Sequence, residues 1–229
     1  MSDSIRLNKY LAHATGISRR EADALIEQGR VSVNGRPAEL GSHITTSDLL
    51  AIDSKPVINS KPTYTYLLLN KPTGYVCSRR AQGDSPTIYE LLPERYRLLK
   101  PVGRLDCESS GLLLLTDDGD FAHRMTHPSF HKNKTYEVTL DQPLQPLHRQ
   151  MISDHGIDLE DGKSQLHLER LHEGDETHWK VIMHEGRNRQ IRRTFAALGY
   201  TVTTLHRTQF GNYSLDEIKK GEHTLTDIR

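Results

Sequence analysis

The spacing of apolar residues changes character near residue 64. Ahead of it Leu7, Leu11 and Ala14 recur at helical spacing while Arg6 and Lys9 fall elsewhere, which predicts a short helix. A second helix is predicted from Ser18, a good N-cap whose capping box is completed by Glu21; Ala22, Leu25 and Ile26 line one face until Gly29 stops it. In "VSVNGRPA" Val31 and Val33 alternate ahead of Asn34-Gly35, a pair suited to a tight hairpin turn. The stretch "DSKPVINSKPTY", residues 53–64, holds two prolines and several polar residues and reads as a linker. Beyond it the pattern is of strands: "YTYLLLN", "GLLLLT", "KTYEVTL", "QLHLERL", "WKVIMH" and "YTVTTLH", separated by turn residues such as Asp117-Asp118-Gly119 and Asp161-Gly162. In "KTYEVTL" Tyr136, Val138 and Leu140 take one side and Thr135, Glu137 and Thr139 the other. The expected class is α+β. A small helix-helix-hairpin domain over residues 1–60 precedes a domain over 61–229 built on a mainly antiparallel mixed sheet with flanking helices.

One of those helices is cationic. In "GRNRQIRRTFAALGY" Asn188 is expected to cap the start and Gly199 the end, with Ile191, Phe195 and Leu198 forming the apolar stripe and Arg189, Arg192 and Arg193 another face. From Gly186 to Leu215 there are five arginines and no acid. Such a stretch calls for a polyanion or for buried carboxylates as its partner. The first domain adds Arg6, Lys9, Arg19, Arg20, Arg30 and Arg36 against Asp3, Glu21, Asp23 and Glu27. Whole-chain charge points nowhere, since 30 Lys and Arg balance 30 Asp and Glu over 229 residues. The two cysteines, Cys77 and Cys107, form no CxxC and argue against a zinc knuckle or a disulfide framework. No apolar run approaches a membrane span, so a soluble, cytoplasmic protein with no membrane association is expected.

Candidate chemistry centres on "GRLDCESSGLLLLTDDGD", residues 103–120, where an ionisable Asp106 stands at the mouth of a leucine strand. Taken alone, Asp106 reads as a turn cap. "TDDGD" lacks the spacing of a calcium loop and reads as a β-turn, and the His127/His131 pair is interrupted by Pro128 and lacks a third ligand. Cys77 and Cys107 read as structural.

Two resemblances change this picture. Residues from Arg6 to about Asp53 resemble the S4 RNA-binding domain, on the words "RLNKYLA", "SRREAD" and "GRVSVNG". That implies a structured RNA partner met by Arg6, Lys9, Arg19, Arg20 and Arg30. Essentially the whole chain resembles the RsuA-type pseudouridine synthases, on "LNKPTGYVCS", "PVGRLDCESSGLLLLTDDG", "KTYEV" and "EGRNRQIRR" in that order. The resemblance implies Asp106 as catalytic aspartate, Tyr136 as the aromatic residue over the uracil, and Arg192 as the partner that ion-pairs with Asp106. It makes Arg104 the residue that displaces the target base from its stack, with Arg187, Arg189 and Arg193 on RNA phosphates. The implied partner is ribosomal RNA, free or in an assembling particle, met by a monomer.

Physical chemistry agrees with those roles. Exchanging an N1–C1′ bond for a C5–C1′ bond needs a carboxylate that stays ionised in a dry pocket, and a guanidinium beside it favours that state. The reaction is an isomerisation without net electron change, so neither cofactor nor metal is expected. "RLNKYLA", "SRREAD" and "NRQIRR" lean towards relatives acting on the large subunit, and "NKPTGYVCS" towards those acting on the small one. Rival readings are a non-catalytic RNA-binding assembly protein, opposed by the intact Asp106, Tyr136 and Arg192, and a glycoside hydrolase, for which a second carboxylate is missing.

Overall fold

The computed structural model describes residues 4–58 and 63–228. The chain divides into two compact units, residues 1–64 and 65–229. In the first, β1 (Ile5–Arg6) leads into α1 (Leu7–Thr15) and α2 (Arg19–Glu27), then β2 (Val31–Val33), β3 (Arg36–Pro37), β4 (His43–Ile44), β5 (Leu50–Ile52) and β6 (Lys55–Val57). The capping box forms as expected: the Glu21 N–H donates to the Ser18 hydroxyl at 3.1 Å and the Ser18 N–H to the Glu21 carboxylate at 2.6 Å. Asn34 and Gly35, both at positive φ, close the β2–β3 hairpin. The core joins Leu7, Tyr10 and Leu11 of α1 to Ala22, Ile26, Val31, Ile44 and Leu50. Ala14, expected on that face, is exposed, because the helix ends one residue later and Tyr10 fills the space.

The expected linker is a correction. Asp53 and Ser54 take left-handed φ of 49° and 64° and turn the chain into β6, which pairs with β5 in the order β3-β2-β5-β6. Pro56 is tolerated there because β6 is an edge strand. The Tyr10 hydroxyl donates to the Ile58 carbonyl, and the Tyr64 ring packs edge-on against His13 at 5.0 Å. Of the expected linker, residues 59–62 lie outside the described residues.

The second unit holds β7 (Tyr66–Lys71), β8 (Lys100–Pro101), β9 (Ser110–Thr116), α3 (Gly119–Thr126), β10 (Lys134–Leu140), α4 (Pro146–Gln150), β11 (Ile157–Leu159), β12 (Gly162–Ser164), β13 (His167–Arg170) and β14 (His178–Met183), followed by α5 (Gln190–Ala196), β15 (Val202–Phe210), β16 (Tyr213–Ser214) and β17 (His223–Thr226). Its main sheet runs β13-β14-β10-β15-β9-β7-β17, with β16 on β15 and β8 on β9. Every pairing is antiparallel except β15 with β9. Both faces of β7 and β9 are covered, which is why their leucines run on without alternating.

At the parallel seam Arg207 lies opposite Gly111. Gly111 has φ +106°, and a Cβ there would stand 2.2 Å from the Arg207 carbonyl oxygen. The "SSGLLLL" glycine therefore answers a backbone that passes too close for any side chain. "TDDGD" is corrected from a β-turn to a helix start: Asp118 caps α3, accepting from the Asp120 and Phe121 N–H groups and from the Tyr66 hydroxyl at 2.9 Å.

Candidate active site

The loop between β8 and β9 is held from beneath by Lys71, the last residue of β7. Its ammonium is fully buried and donates to the carbonyls of Pro72 (3.0 Å), Asp106 (3.1 Å) and Ser109 (2.7 Å), three acceptors for three N–H bonds. Burial is what pushes the Lys71 pKa down, opposed chiefly by the nearby thiols and by Asp106. The Ser109 N–H closes a turn onto the Asp106 carbonyl at 3.0 Å, and the Gly74 N–H holds the Cys107 carbonyl at 2.8 Å. Asp106 thus contributes its backbone to the turn. Among the described residues no donor reaches that carboxylate within hydrogen-bond distance, so the capping reading fails.

The half-buried carboxylate opens on a cavity of about 760 Å³. Among the described residues six cations line it, Arg104, Lys134, Lys163, Arg187, Arg189 and Arg207, against three acids, Asp106, Asp161 and Glu185. Arg104 is exposed at the loop and makes no hydrogen bond among the described residues. Tyr136 projects from β10, packs into the core with 8% exposure and also lines the cavity. Lys134 donates to the His184 and Glu185 carbonyls at 3.1 Å and to the Lys132 carbonyl at 3.5 Å, over the Phe210 ring. Burial, and then Arg207, push its pKa down to about 8.

A β-bulge places these groups together. Thr135 pairs with Gln209 but Tyr136 pairs with Arg207, so Thr208 is an extra residue in β15. Side chains three apart in a regular strand point to opposite faces; the extra residue puts Arg207 and Phe210 on the same face as Lys134 and Tyr136. The Arg207 guanidinium lies 4.9 Å from the Phe210 ring centre and 6.0 Å from that of Tyr136.

The arginines of α5 are placed differently from expectation. Arg192 does not line the cavity, and no ion pair within 4.0 Å joins it to Asp106 among the described residues. It donates to the Val202 carbonyl at 2.7 Å and the Glu108 carbonyl at 3.2 Å, with its Nε 3.7 Å from the Glu108 carboxylate. Arg189 takes the same carboxylate at 3.0 Å. Arg193 grips both oxygens of Asp161 at 3.0 and 2.7 Å, and Arg187 reaches Asp161 and Glu185, each at 3.0 Å. Arg193 holds the Asp161 carboxyl below the usual carboxylate range. Acids from outside the cationic stretch therefore neutralise much of it. Asn188 does not cap α5 either: Arg189 occupies the N-cap at φ 47°, and the Gln190 side chain reaches back to the Arg187 N–H at 3.2 Å.

In the first unit Arg6, Arg19 and Arg20 are exposed, Lys9 is half-buried, and Arg30 is paired with Asp53. Cys77 accepts from the Leu105 N–H at 3.5 Å, consistent with a structural thiol that burial pushes up in pKa. No group of three His, Cys, Asp or Glu among the described residues is arranged to hold a metal, and no described helix is long and apolar enough to cross a membrane.

Lys71 and Arg207 were not singled out from the sequence. A lysine closing the apolar run "YLLLNK" was the available signal for the first, and an arginine two residues after Leu205 in a strand for the second.

Comparison with known proteins identifies the family. Residues 65–197 match the RNA pseudouridylate synthase family and residues 5–50 the S4 domain. The chain is 38% identical over 226 residues to ribosomal small subunit pseudouridine synthase A of Pasteurella multocida, covering 96% of this chain and 94% of that one. It is 36% identical to ribosomal large subunit pseudouridine synthase B of Bacillus subtilis, covering 95% and 90%. A solved pseudouridylate synthase at 34% identity superposes with a TM-score of 0.67 over 97% of this chain and 96% of that one. The chain belongs to the RNA pseudouridylate synthase family, joining its catalytic fold to an S4 domain.

Proposed function

We propose that the protein isomerises one uridine, or a few, in ribosomal RNA to pseudouridine, with Asp106 as the catalytic carboxylate. The observation that carries this reading is an Asp106 side chain that no donor among the described residues meets, fixed by its own backbone at a cavity that also presents Tyr136. A glycosidic bond inside stacked RNA is out of reach, so the nucleotide must be extruded, at a cost of a few kcal/mol. A cavity of about 760 Å³ has room for it. Arg104, exposed at the mouth and without a hydrogen bond among the described residues, takes the vacated position in the stack. Tyr136 offers a flat face to the uracil, and its phenol is suited to help move the C5 proton.

Arg192 supports the loop through the Glu108 carbonyl, and its pairing with the Asp106 carboxylate is assigned to the RNA-bound state. Exposed Arg6, Arg19 and Arg20, with Lys9, hold structured RNA, and Arg187, Arg189 and Arg193 meet phosphates by exchanging their present acids. We take large-subunit RNA as the substrate on the wording of the first domain and of "NRQIRR". Small-subunit RNA is the second reading, favoured by the 38% identity to a small-subunit enzyme.

Pseudouridine mapped in ribosomal RNA from cells with the wild-type gene, without it, and with Asp106→Asn tests this. One site or a few in large-subunit RNA should vanish in both altered strains. Identical maps in all three would end the enzymatic reading, and losses confined to small-subunit RNA would move the substrate assignment there.

A further inference from the structure

Among the described residues three cations lie buried, Lys134 and Arg207 lining the cavity and Lys71 beneath the Asp106 loop, and their hydrogen bonding sets one apart. Lys71 and Lys134 each spend three N–H bonds on three backbone carbonyls. Arg207 is only 2% exposed, yet among the described residues its five N–H bonds meet a single acceptor, the Leu112 carbonyl, which takes the Nε–H at 2.8 Å. Its Nη2 is buried without an acceptor among the described residues. An unsatisfied guanidinium nitrogen in so dry a place is destabilising. Such a cost is tolerated where a ligand supplies the missing acceptor, and the cavity beside Tyr136 is where that ligand would sit.

We propose that Arg207 is a catalytic residue whose guanidinium holds a carbonyl oxygen of the flipped uracil and stabilises the negative charge that uracil carries once N1 has left C1′. This rests on the Asp106 cavity being the site of isomerisation. In the reaction the N1–C1′ bond breaks with its electron pair going to uracil, where the charge spreads to the two carbonyl oxygens. The ring turns, C5 returns an electron pair to C1′, the C5 proton leaves and N1 takes up a proton. Arg207 forms only hydrogen bonds throughout and ends as it began. A fixed donor aimed at developing charge in a water-poor site is the usual source of large electrostatic rate effects. Backbone pairing to Gly111 and the Leu112 carbonyl fix this one in place.

The test compares wild type, Arg207→Met and Arg207→Lys in single-turnover reactions on target RNA carrying uridine or 5-fluorouridine. Fluorine stabilises the uracil anion by itself, and because C5 then bears no proton, consumption of 5-fluorouridine reports bond cleavage and rejoining. Arg207→Met should slow the uridine reaction by about a hundredfold or more and the 5-fluorouridine reaction by about tenfold or less. RNA affinity should stay within about threefold. Arg207→Lys should show the same inequality in milder form, which keeps the test open if the Met variant does not fold. Equal penalties on the two RNAs, or a loss confined to RNA affinity, would overturn the assignment. Asp106→Asn, run alongside, separates the failures: if it remains active the site reading itself is wrong, and if it is inactive while the Arg207 variants match wild type, only this inference falls.

Discussion

At Gly111 a single missing methyl group decides whether two strands can meet. Its φ of +106° and the 2.2 Å approach of a virtual Cβ to the Arg207 carbonyl make Gly111→Ala strained twice over. Denaturant unfolding should show a loss of about 3 kcal/mol or more. Gly119→Ala, with nothing within 4 Å and an ordinary φ, should change stability by less than about 0.5 kcal/mol. Lys134 gives a pH signature. Its pKa falls from 10.5 unfolded to about 8 folded, so between those values the unfolded chain binds more protons and stability rises with pH. Wild type should therefore gain stability relative to Lys134→Met, by on the order of 2–3 kcal/mol, as pH goes from 8 towards 10.5. A flat difference would mean that the three carbonyls hold the ammonium charged throughout. Asp106 could be found from its neighbours in sequence. The free state of its carboxylate could not, because it depends on Lys71, which is far away along the chain and donates only to backbone oxygens.

On the scale of elements, α5 shows what periodicity conveys and omits. Its buried stripe of Ile191 and Phe195 was readable from spacing. That Asp161 and Glu108 neutralise its arginines was not, since those acids come from a distant hairpin and from the loop between β8 and β9. Phosphates binding Arg187 and Arg193 must displace a carboxylate, so they release fewer counterions than the arginine count suggests. Asp161→Asn should therefore tighten RNA binding at low salt and steepen the slope of log K against log salt by about one to two, measured by filter binding or anisotropy. An unchanged slope would place those arginines outside the RNA footprint. The long strands were readable because hydrophobic runs mark them. The edge strand β17, "HTLT", carried no such mark and owes its pairing to β7.

For the whole molecule, zero net charge conceals a division of labour between two units. Removing residues 1–60 should weaken RNA binding and make its salt dependence shallower while leaving the cavity residues in place. Unchanged affinity and slope would remove the first unit from the RNA-binding surface. The boundary lay later than prolines alone suggested, because β6 belongs to the first unit's sheet.

The bulge at Thr208 makes the catalytic unit depend on counting. Arg207 and Phe210 share a face only because an odd residue was inserted between them. A chain one residue shorter at that point would retain every chemically active side chain and still send Arg207 to the wrong side of the sheet. Within this fold, the length of the segment from Arg207 to Phe210 is as much a part of the candidate active site as any functional group in it.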